Sequence, residues 1–491
     1  MDFDDALHYM EGLLRFGWKL GNERFEALCA RLGSPQDKYA IVHIAGTKGK
    51  GSTTALAAAI LREAGCNVGA YFSPYVYDVR ERVQVNGELI PHDDFARLVT
   101  VIRPHIEALA LTELGQTTEF ELKTLIGFLY FAECGVDIAC IEVGLGGRLD
   151  ATNLVKPTVT VITNIGLDHT AQLGETHALI AGEKAGIIKC GIPCYTATDH
   201  PDALAVIERI AEQQSAPLFR VIHADISKST QNTSSTEPSF PLSPSPEASG
   251  SRGSTDEAQK IRSVENKHCV RWNAEETRPA VGNDMPESWT HTAPVTIVTP
   301  TRRYEKMAMR MGGLYQRSNA ACAVAAVEYA LGAMGRELPE AAVRAALATT
   351  TLPGRLTILE KPGMPLIVLD GAHNEMAALA LAGPVAALRE QHNISRLLVV
   401  VGMLNGHAPE GVLAALLPGA AHVYVCQPQW KRAQPAEEVA AVARNYADNV
   451  SVVPSVPDAV RAALTDATPQ DMVLITGSFY TVGEVPPSFW Q

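Results

Sequence analysis

The stretch that most constrains the fold runs from 39 to 64 and reads YAIVHIAGTKGKGSTTALAAAILREA. An apolar run of strand length leads into a loop with glycines at positions 46, 49 and 51, and an alanine-rich segment from about Thr53 predicts a helix. Glycines let backbone N–H groups approach an anion closely, while the helix N-terminus and Lys50 add positive charge. The segment therefore predicts a phosphate-binding loop.

Two positions in this loop depart from the pattern GxxxxGK[ST] of phosphate loops. Ile44 stands in place of the first glycine, and Gly51 separates Lys50 from Ser52. A tight glycine turn without a ligand is the alternative interpretation, and the loop alone does not decide between the two. The segments that follow the loop favour phosphate binding over a simple turn.

Further apolar runs alternate with helical segments, and this pattern predicts an α/β fold with a doubly wound, mostly parallel sheet. The runs 136–143 and 158–163 are almost continuously apolar, which is typical of parallel strands covered on both faces. Ligands of such sheets bind where the strands end. Polar side chains follow three predicted strands at this point, namely Lys50, Ser52, Glu142, Asp168 and His169.

A carboxylate at a strand end beside a phosphate-binding lysine suits Mg²⁺, which prefers oxygen ligands. Glu142 is the candidate, and its alternatives are to cap the following helix or to pair with Arg148. For His169 the alternative is an ordinary loop or core histidine. The residues thus predict a nucleoside triphosphate site that holds a divalent cation.

The chain divides into segments by composition. Residues 1–352 are predicted to form the ATP-binding domain, 353–356 a hinge at Pro353-Gly354, and 357–491 a smaller Rossmann-like α/β domain. Within the first domain, 226–292 is rich in Ser, Thr, Pro and Gly and is predicted to be a mostly disordered insertion, because it cannot bury enough apolar surface. His268 to Trp272 is the one piece of it that could be ordered, and a regulatory or partner-binding role is the alternative.

Charge and composition restrict the partners. A net charge of −13 argues against nucleic acid, and no apolar run reaches the length of a membrane span. The N-terminus begins acidic, so neither a signal nor a transit peptide is expected. Nine cysteines without CxxC pairs are typical of free thiols in a reducing cytoplasm. We therefore expect a cytoplasmic protein that acts on small molecules.

Several segments also carry a resemblance to a known family. In order along the chain, HIAGTKGKGS, FSPYVYDVRERVQVNGELI, IEVGLGGRLDATN, TNIGLDHTAQLG, GEKAGIIK, LPGRL, DGAHN and ITGSFYTVGEV resemble the signature segments of the folylpolyglutamate synthase and dihydrofolate synthase family, within the Mur ligase superfamily. They cover both predicted domains and leave out only the insertion. The segments IEVGLGGRLDATN and GEKAGIIK are the most specific of them.

The resemblance implies an ATP-dependent carboxylate-amine ligase of folate biosynthesis and one-carbon metabolism. Such an enzyme joins L-glutamate to dihydropteroate or to a reduced folate through an acyl phosphate, as dihydrofolate synthase, folylpolyglutamate synthase or tetrahydrofolate synthase does. It also implies a monomer. Two alternatives are another amide ligase of the Mur superfamily that uses a cell-wall nucleotide substrate, and a P-loop nucleotide-binding protein without catalysis.

The resemblance assigns residues as well. For ATP it implies Gly46, Thr47, Gly49, Lys50, Gly51, Ser52, Asn319, Arg355 and Asp370. For two Mg²⁺ sites, with a monovalent cation such as K⁺ as a further expectation, it implies Ser52, Ser73, Glu142, His169 and a carbamylated Lys184. Catalytic roles fall on Lys50, Lys184 and His373. For the pterin substrate it implies Lys19, Leu20, Gly21, Thr118, Glu119, Phe120, Glu121, Leu149, Asp150 and Ala151.

A few positions depart from the family pattern. Glu375 stands where a proline usually follows DGAHN, and Tyr75 stands where a histidine often follows Ser-Pro. Neither position belongs to the phosphate or metal set. These departures leave open which of the two family activities dominates.

Overall fold

The structure is a computed structural model, and it describes residues 1–13, 21–224, 269–274, 294–406 and 408–486. Two β-sheets organise this part of the chain, one of eleven strands and one of six. A search of the described helices finds none that is both long and apolar enough to cross a membrane.

The large sheet comes from residues before 310. Its strands are β1 (Ala40–Ala45), β2 (Val68–Tyr71), β3 (Val83–Val85), β4 (Glu88–Leu89), β5 (Ile138–Glu142), β6 (Val159–Ile162), β7 (Cys194–Thr196), β8 (Leu218–His223), β9 (Cys269–Ala274), β10 (Val295–Val298) and β11 (Arg303–Met307). They follow the order β11-β10-β9-β8-β7-β6-β1-β5-β2-β3-β4. The strands from β9 to β2 run parallel, and both edges are antiparallel.

Helices cover both faces of this sheet. They are α1 (Phe3–Leu13), α2 (Glu23–Arg31), α3 (Lys50–Glu63), α4 (His92–Ala110), α5 (Glu119–Glu133), α6 (Thr170–Leu173), α7 (His177–Ala185), α8 (Pro201–Gln213), α9 (Leu314–Ala333) and α10 (Glu340–Thr349). Along β1, Val42 and Ile44 pack into the core of α3, α9 and α10, whereas Ile41 packs into the core of α1, α4 and α5. The predicted doubly wound sheet is thus confirmed.

The second sheet lies in residues 357–476. It contains β12 (Thr357–Leu359), β13 (Leu366–Leu369), β14 (Leu397–Val401), β15 (Ala420–Cys426), β16 (Val450–Val453) and β17 (Met472–Thr476), in the order β12-β13-β17-β14-β15-β16. Only β12 is antiparallel to its neighbour. The helices are α11 (Glu375–Gln391), α12 (Pro409–Leu416), α13 (Ala436–Ala443), α14 (Val456–Asp466) and α15 (Phe479–Gly483). A smaller α/β unit is therefore confirmed, while its boundary at 353–356 stays a prediction.

The strand β9 includes most of His268 to Trp272, the piece of the insertion that the sequence analysis set apart as able to be ordered. It lies within 226–292, which composition assigns to a disordered insertion, yet it pairs with β8 and β10 inside the sheet. Val270 and Trp272 alternate into the core, and this alternation of two apolar side chains is what places the strand. The ordered piece extends to Ala274, and the rest of 226–292 lies outside the described residues.

Candidate functional site

The predicted phosphate loop connects β1 to α3, which begins at Lys50. Gly46 and Gly49 have φ of 148° and 85°, in the region that glycine adopts most readily. A Cβ atom on Gly46 would lie 1.8 Å from Thr163 Oγ1, and one on Gly49 would lie 2.3 Å from Asn319 Oδ1. Both glycines are therefore required by conformation and by space. Asn319, a predicted nucleotide contact, lies directly against the loop.

The segment after β6 holds the loop in shape. Lys48 N donates to Asn164 Oδ1 at 2.8 Å, and Thr163 Oγ1 donates to Lys48 O at 2.6 Å. Thr47 Oγ1 donates to Gly166 O at 3.2 Å and accepts from Gly166 N at 3.0 Å. These bonds fix the loop before any ligand arrives, which reduces the ordering cost of binding.

Two of the predicted catalytic lysines meet at one atom. Lys50 Nζ and Lys184 Nζ donate to Gly46 O at 3.1 and 3.0 Å, although the two residues come from α3 and α7. Burial, together with the neighbouring charge of Lys50, lowers the pKa of Lys184 to about 7. Burial also lowers the pKa of Lys50, against the opposing effect of Glu142. Two amino groups held this close repel each other when both are charged, and a bound anion would offset that repulsion.

A pKa near 7 has a consequence for Lys184. Carbamylation by CO₂ requires the neutral amine, and at neutral pH about half of the Lys184 side chains carry it, compared with far fewer for a lysine at its ordinary pKa. The side chain is 4% exposed, so a carbamate there would be shielded from bulk water. The environment thus fits the predicted modification.

Glu142 ends β5 and is 2% exposed. Its Oε2 accepts from Ser73 N at 2.9 Å, which brings together two of the predicted metal ligands. Burial raises the pKa of the carboxyl, and the Lys50 charge opposes that rise. Both residues line a pocket that also includes Gly51, Arg355 and Phe479. A bound cation would stabilise the charged form of this buried carboxylate.

The donor atoms available here fit Mg²⁺ that arrives with a triphosphate. Among the residues the structure describes, no group of three or more His, Cys, Asp and Glu side chains could hold a metal ion. Mg²⁺ in proteins often takes one or two carboxylates and completes its shell with water and phosphate oxygens. Glu142, with the hydroxyls of Ser52 and Ser73 as candidates, satisfies this requirement.

Four of the five predicted metal ligands lie at the ends of adjacent strands, and the fifth, Lys184, lies on α7. Ser73 follows β2, Glu142 ends β5, Ser52 follows β1 and His169 follows β6, and these strands are consecutive in the sheet. His169 is exposed, with φ of 51°, and its backbone N donates to Asp168 Oδ1 at 3.0 Å. The topology therefore places His169 at the predicted edge, on the opposite side of β1 from Glu142.

The second sheet contributes Arg355 and Asp370. Both oxygens of Asp370 accept backbone N–H groups, from Leu356 at 2.8 Å and from Ala372 at 2.9 Å. The guanidinium of Arg355 lies 4.4 Å from the ring centre of Phe479 and lines the pocket beside Glu142. Burial raises the pKa of Asp370, while the charges of Arg355 and Lys48 oppose it. Residues of the smaller unit thus face the phosphate loop.

The predicted pterin residues have local structural partners. Thr118 and Glu121 form a capping box at the start of α5, and Glu121 also pairs with Arg24 at 2.8 Å. Asp150 accepts from Thr152 Oγ1 at 2.6 Å and from Leu145 N at 2.9 Å. Their carboxylates therefore hold the segments 118–121 and 149–151 in place. Gly21 is described, whereas Lys19 and Leu20 lie outside the described residues.

The structure reveals a second pair of cations that sequence analysis missed. Arg82 and Lys123 are 8% and 4% exposed, and both contact the ring of Tyr75, at 5.5 and 5.2 Å. Burial and the charge of Arg82 lower the pKa of Lys123 to about 8, against the opposing charge of Glu119. Arg82 Nε is buried without a hydrogen-bond partner. A buried donor of this kind requires an explanation, and a bound anion would supply its missing partner.

Only one signal in the sequence points to this pair. Lys123 interrupts an apolar helical run, FELKTLIGF, where a solvated lysine would not be expected. Arg82 lies on a short 3₁₀ turn, and nothing in its local pattern distinguishes it. The loop lysine Lys48 was also missed, because its partners Asp168 and His373 are distant in sequence.

Comparison with protein families gives two matches. Residues 44–197 match the Mur ligase middle domain, and residues 354–479 match the Mur ligase glutamate ligase domain. The first range contains the phosphate loop, Glu142 and Lys184, and the second contains Arg355, Asp370 and His373.

Known proteins are similar over the whole chain. The dihydrofolate synthase/folylpolyglutamate synthase of Bacillus subtilis is 35% identical, with 98% of both chains covered. The structure of E. coli FolC in complex with DHPP and ADP has a TM-score of 0.75 at 28% identity and covers 98% of this chain and 96% of that one. A bifunctional folylpolyglutamate synthase/dihydrofolate synthase of Yersinia pestis, complexed with AMPPNP and a Mn ion, has a TM-score of 0.76 at 27% identity and covers 100% and 98%.

Proposed function

The chain belongs to the folylpolyglutamate synthase/dihydrofolate synthase family of the Mur ligases, and we propose that it joins L-glutamate to dihydropteroate or a reduced folate at the expense of ATP. The observation that carries this proposal is the crevice where β1, β5 and β6 end. There Lys50, Lys184 and Glu142 face Arg355 of the smaller unit. A triphosphate and its cation fit such a charge arrangement.

The chemistry follows from the weakness of a carboxylate as an electrophile. Transfer of the ATP γ-phosphoryl group to the substrate carboxylate gives an acyl phosphate, and attack by the glutamate amine then forms the amide and releases phosphate. Lys50 stabilises the charge that spreads over the phosphoryl oxygens, whereas Lys184, once carbamylated, would carry a negative charge and join the candidates for holding the cation. Glu142, Ser52, Ser73 and His169 are our candidates for holding Mg²⁺, which supplies further charge neutralisation when bound. The backbone N–H groups of the loop 46–51 orient the phosphates.

Arg82 and Lys123 are our candidates for the carboxylates of the incoming glutamate. They are buried and of like charge, and Lys123 pairs with Glu119. Tyr480 of the smaller unit lies within electrostatic reach of Arg82 and Tyr75, so both units border this position. An amino acid bound there would reach the crevice from the side of Ser73 and Glu142.

For the pterin-linked substrate we propose the segments 118–121 and 149–151, together with 19–21. Glu121 and Asp150 act there as positioning residues, because Arg24 and Thr152 engage their carboxylates. We also propose a cytoplasmic monomer. All nine cysteines are unpaired, which is consistent with a reducing compartment.

ADP release tests the proposed reaction. We expect it to require both glutamate and either dihydropteroate or tetrahydrofolate, because phosphoryl transfer without the amine leaves an acyl phosphate that goes no further. Each substrate is assayed with and without glutamate, and muramyl nucleotides serve as the comparison. Turnover with a muramyl nucleotide alone would identify a different Mur ligase. Slow hydrolysis that is indifferent to both co-substrates would identify a nucleotide-binding protein without ligase activity.

Replacement of Lys123 tests the glutamate position. A Lys123→Met variant keeps the length of the side chain and is expected to raise KM for glutamate about 10- to 100-fold, since it removes one charged hydrogen bond. KM for ATP should stay within a factor of about three, because this lysine does not reach the phosphate loop. The matched control is Lys156→Met, whose ammonium pairs with Asp37 at the surface. An unchanged KM for glutamate would exclude Lys123 from this role.

A further inference from the structure

Four polar side chains join the phosphate loop to the smaller α/β unit. Lys48 Nζ lies 3.0 Å from Asp168 Oδ2 and 3.2 Å from His373 Nε2. Asn374 Nδ2 donates to the same Asp168 oxygen at 3.0 Å. We call these residues, Lys48, Asp168, His373 and Asn374, the interdomain latch. Lys48 and Asp168 follow β1 and β6 of the large sheet, whereas the other two follow β13 of the small one.

The hydrogen bonds of the latch fix the tautomer of His373. Its Nδ1 lies 2.8 Å from Gly371 O, and a carbonyl oxygen can only accept, so Nδ1 carries the proton. Nε2 is then the acceptor, and Lys48, whose ammonium can only donate, occupies it. The imidazole is thereby neutral and aimed at the loop that binds phosphate.

The latch is shielded from water. The side chains of Lys48 and Asp168 are 19% and 7% exposed, so their attraction is stronger than that of a surface pair. The other oxygen of Asp168 accepts from His169 N, which prevents the carboxylate from turning away. Met376, two residues after Asn374, packs over Gly166, where a Cβ atom would lie 2.7 Å from its sulfur. The two units therefore meet here by both polar and apolar contacts.

We propose that Lys48 is a positioning residue for the ligase reaction, which orients His373 and holds the smaller unit closed over the phosphate loop, and that Asn374 supports it through Asp168. Its role differs from that of Lys50, whose ammonium donates to Gly46 O within its own loop. The proposal rests on the proposed function for the reaction that is measured. The contacts themselves are independent of the substrate.

Two substitutions separate positioning from phosphate binding. Lys48→Met and Asn374→Ala approach the latch from opposite units. In the described part of the chain Asn374 reaches the loop through Asp168, and its Oδ1 accepts from Ala377 N at the start of α11. If the latch positions His373, both variants lower kcat, Lys48→Met by about 100-fold, since a displacement of about 1 Å can cost that much. KM for ATP changes less than about threefold in both. The double variant should be no worse than Lys48→Met alone, because the two act as one unit.

Asn449→Ala is the control for Asn374→Ala. Asn449→Ala makes the same change at the start of β16, away from the crevice, and should leave kcat unchanged. Thermal melts confirm that each variant is folded. An Asn374→Ala variant with the kcat of the control, or a Lys48→Met variant that loses only ATP affinity, would overturn the latch and make Lys48 a plain phosphate ligand.

A measurement of the distance between the two units tests the latch independently of the ligase activity. Spin labels on Cys190, which is exposed, and on an introduced Glu390→Cys report the separation of the two units, with Cys134 and Cys269 changed to serine. We expect one narrow distance distribution in the parent and broad distributions in Lys48→Met and Asn374→Ala. Identical distributions in all three would overturn the latch even if the ligase activity is confirmed. Broadening would support it even if the parent shows no glutamate-dependent ADP release.

Discussion

A Lys50→Met variant is expected to lose about 10²–10³-fold in kcat, the cost of removing one preorganised group that stabilises transition-state charge. Lys50 begins α3, and its ammonium is held 3.1 Å from Gly46 O, inside the loop that we propose to bind the phosphates. The Lys184 amine lies against the same oxygen but comes from α7, outside the phosphate loop. Methionine fills the space and supplies no charge.

Glutamate-dependent ADP release measures this loss, and binding of ADP measures the ground state. The larger part of the effect should fall on kcat, because the charge on the phosphoryl oxygens is redistributed in the transition state. Lys38→Met, at an exposed position before β1, is the matched control. A variant that keeps more than about a tenth of the parental kcat would show that Lys50 is not the main phosphate cation.

The sequence predicts the location of this site because the main determinants are local. A continuous apolar run identifies each central strand, and polar residues directly after the run must lie at one edge of a parallel sheet. Lys50, Glu142 and His169 follow this rule, and the sheet places their strands side by side. Edge strands are different: β12 and β16 consist of half-buried residues without a continuous buried run, and no clear strand signal marks them.

Residues whose role depends on contacts between distant segments are not predictable in this way. Lys48 resembles any polar loop residue until His373, more than 300 positions later, is placed 3.2 Å from it. Arg82 and Lys123 become candidates for binding an anion only because burial removes the water that would otherwise solvate them. Glu121 shows the reverse, since a residue predicted to bind substrate is engaged by Arg24. The burial of a side chain and its pairing with a distant residue depend on the tertiary structure, so local sequence patterns do not predict them.

A Glu142→Gln variant is expected to lose about 10²-fold in kcat and to need a concentration of Mg²⁺ at least about tenfold higher, because it keeps the shape of the side chain and removes the charge that attracts the cation. The bond from Ser73 N to Oε2 can be retained by the amide oxygen, so the local fold should be unchanged. Mn²⁺ binding in the presence of a non-hydrolysable ATP analogue, followed by electron paramagnetic resonance, measures the metal directly.

Stability gives an independent test of the same carboxylate. Burial raises the pKa of Glu142, so the folded protein holds the proton more tightly than the unfolded chain does. Without a cation this group therefore destabilises the fold as pH rises above the ordinary range for glutamate, and the destabilisation is largest at neutral pH. The metal-free Glu142→Gln variant should then melt at or above the temperature of the metal-free parent at pH 7, whereas Mg²⁺ with nucleotide should raise the melting temperature of the parent much more than that of the variant. Equal shifts in both proteins would mean that the cation is bound elsewhere.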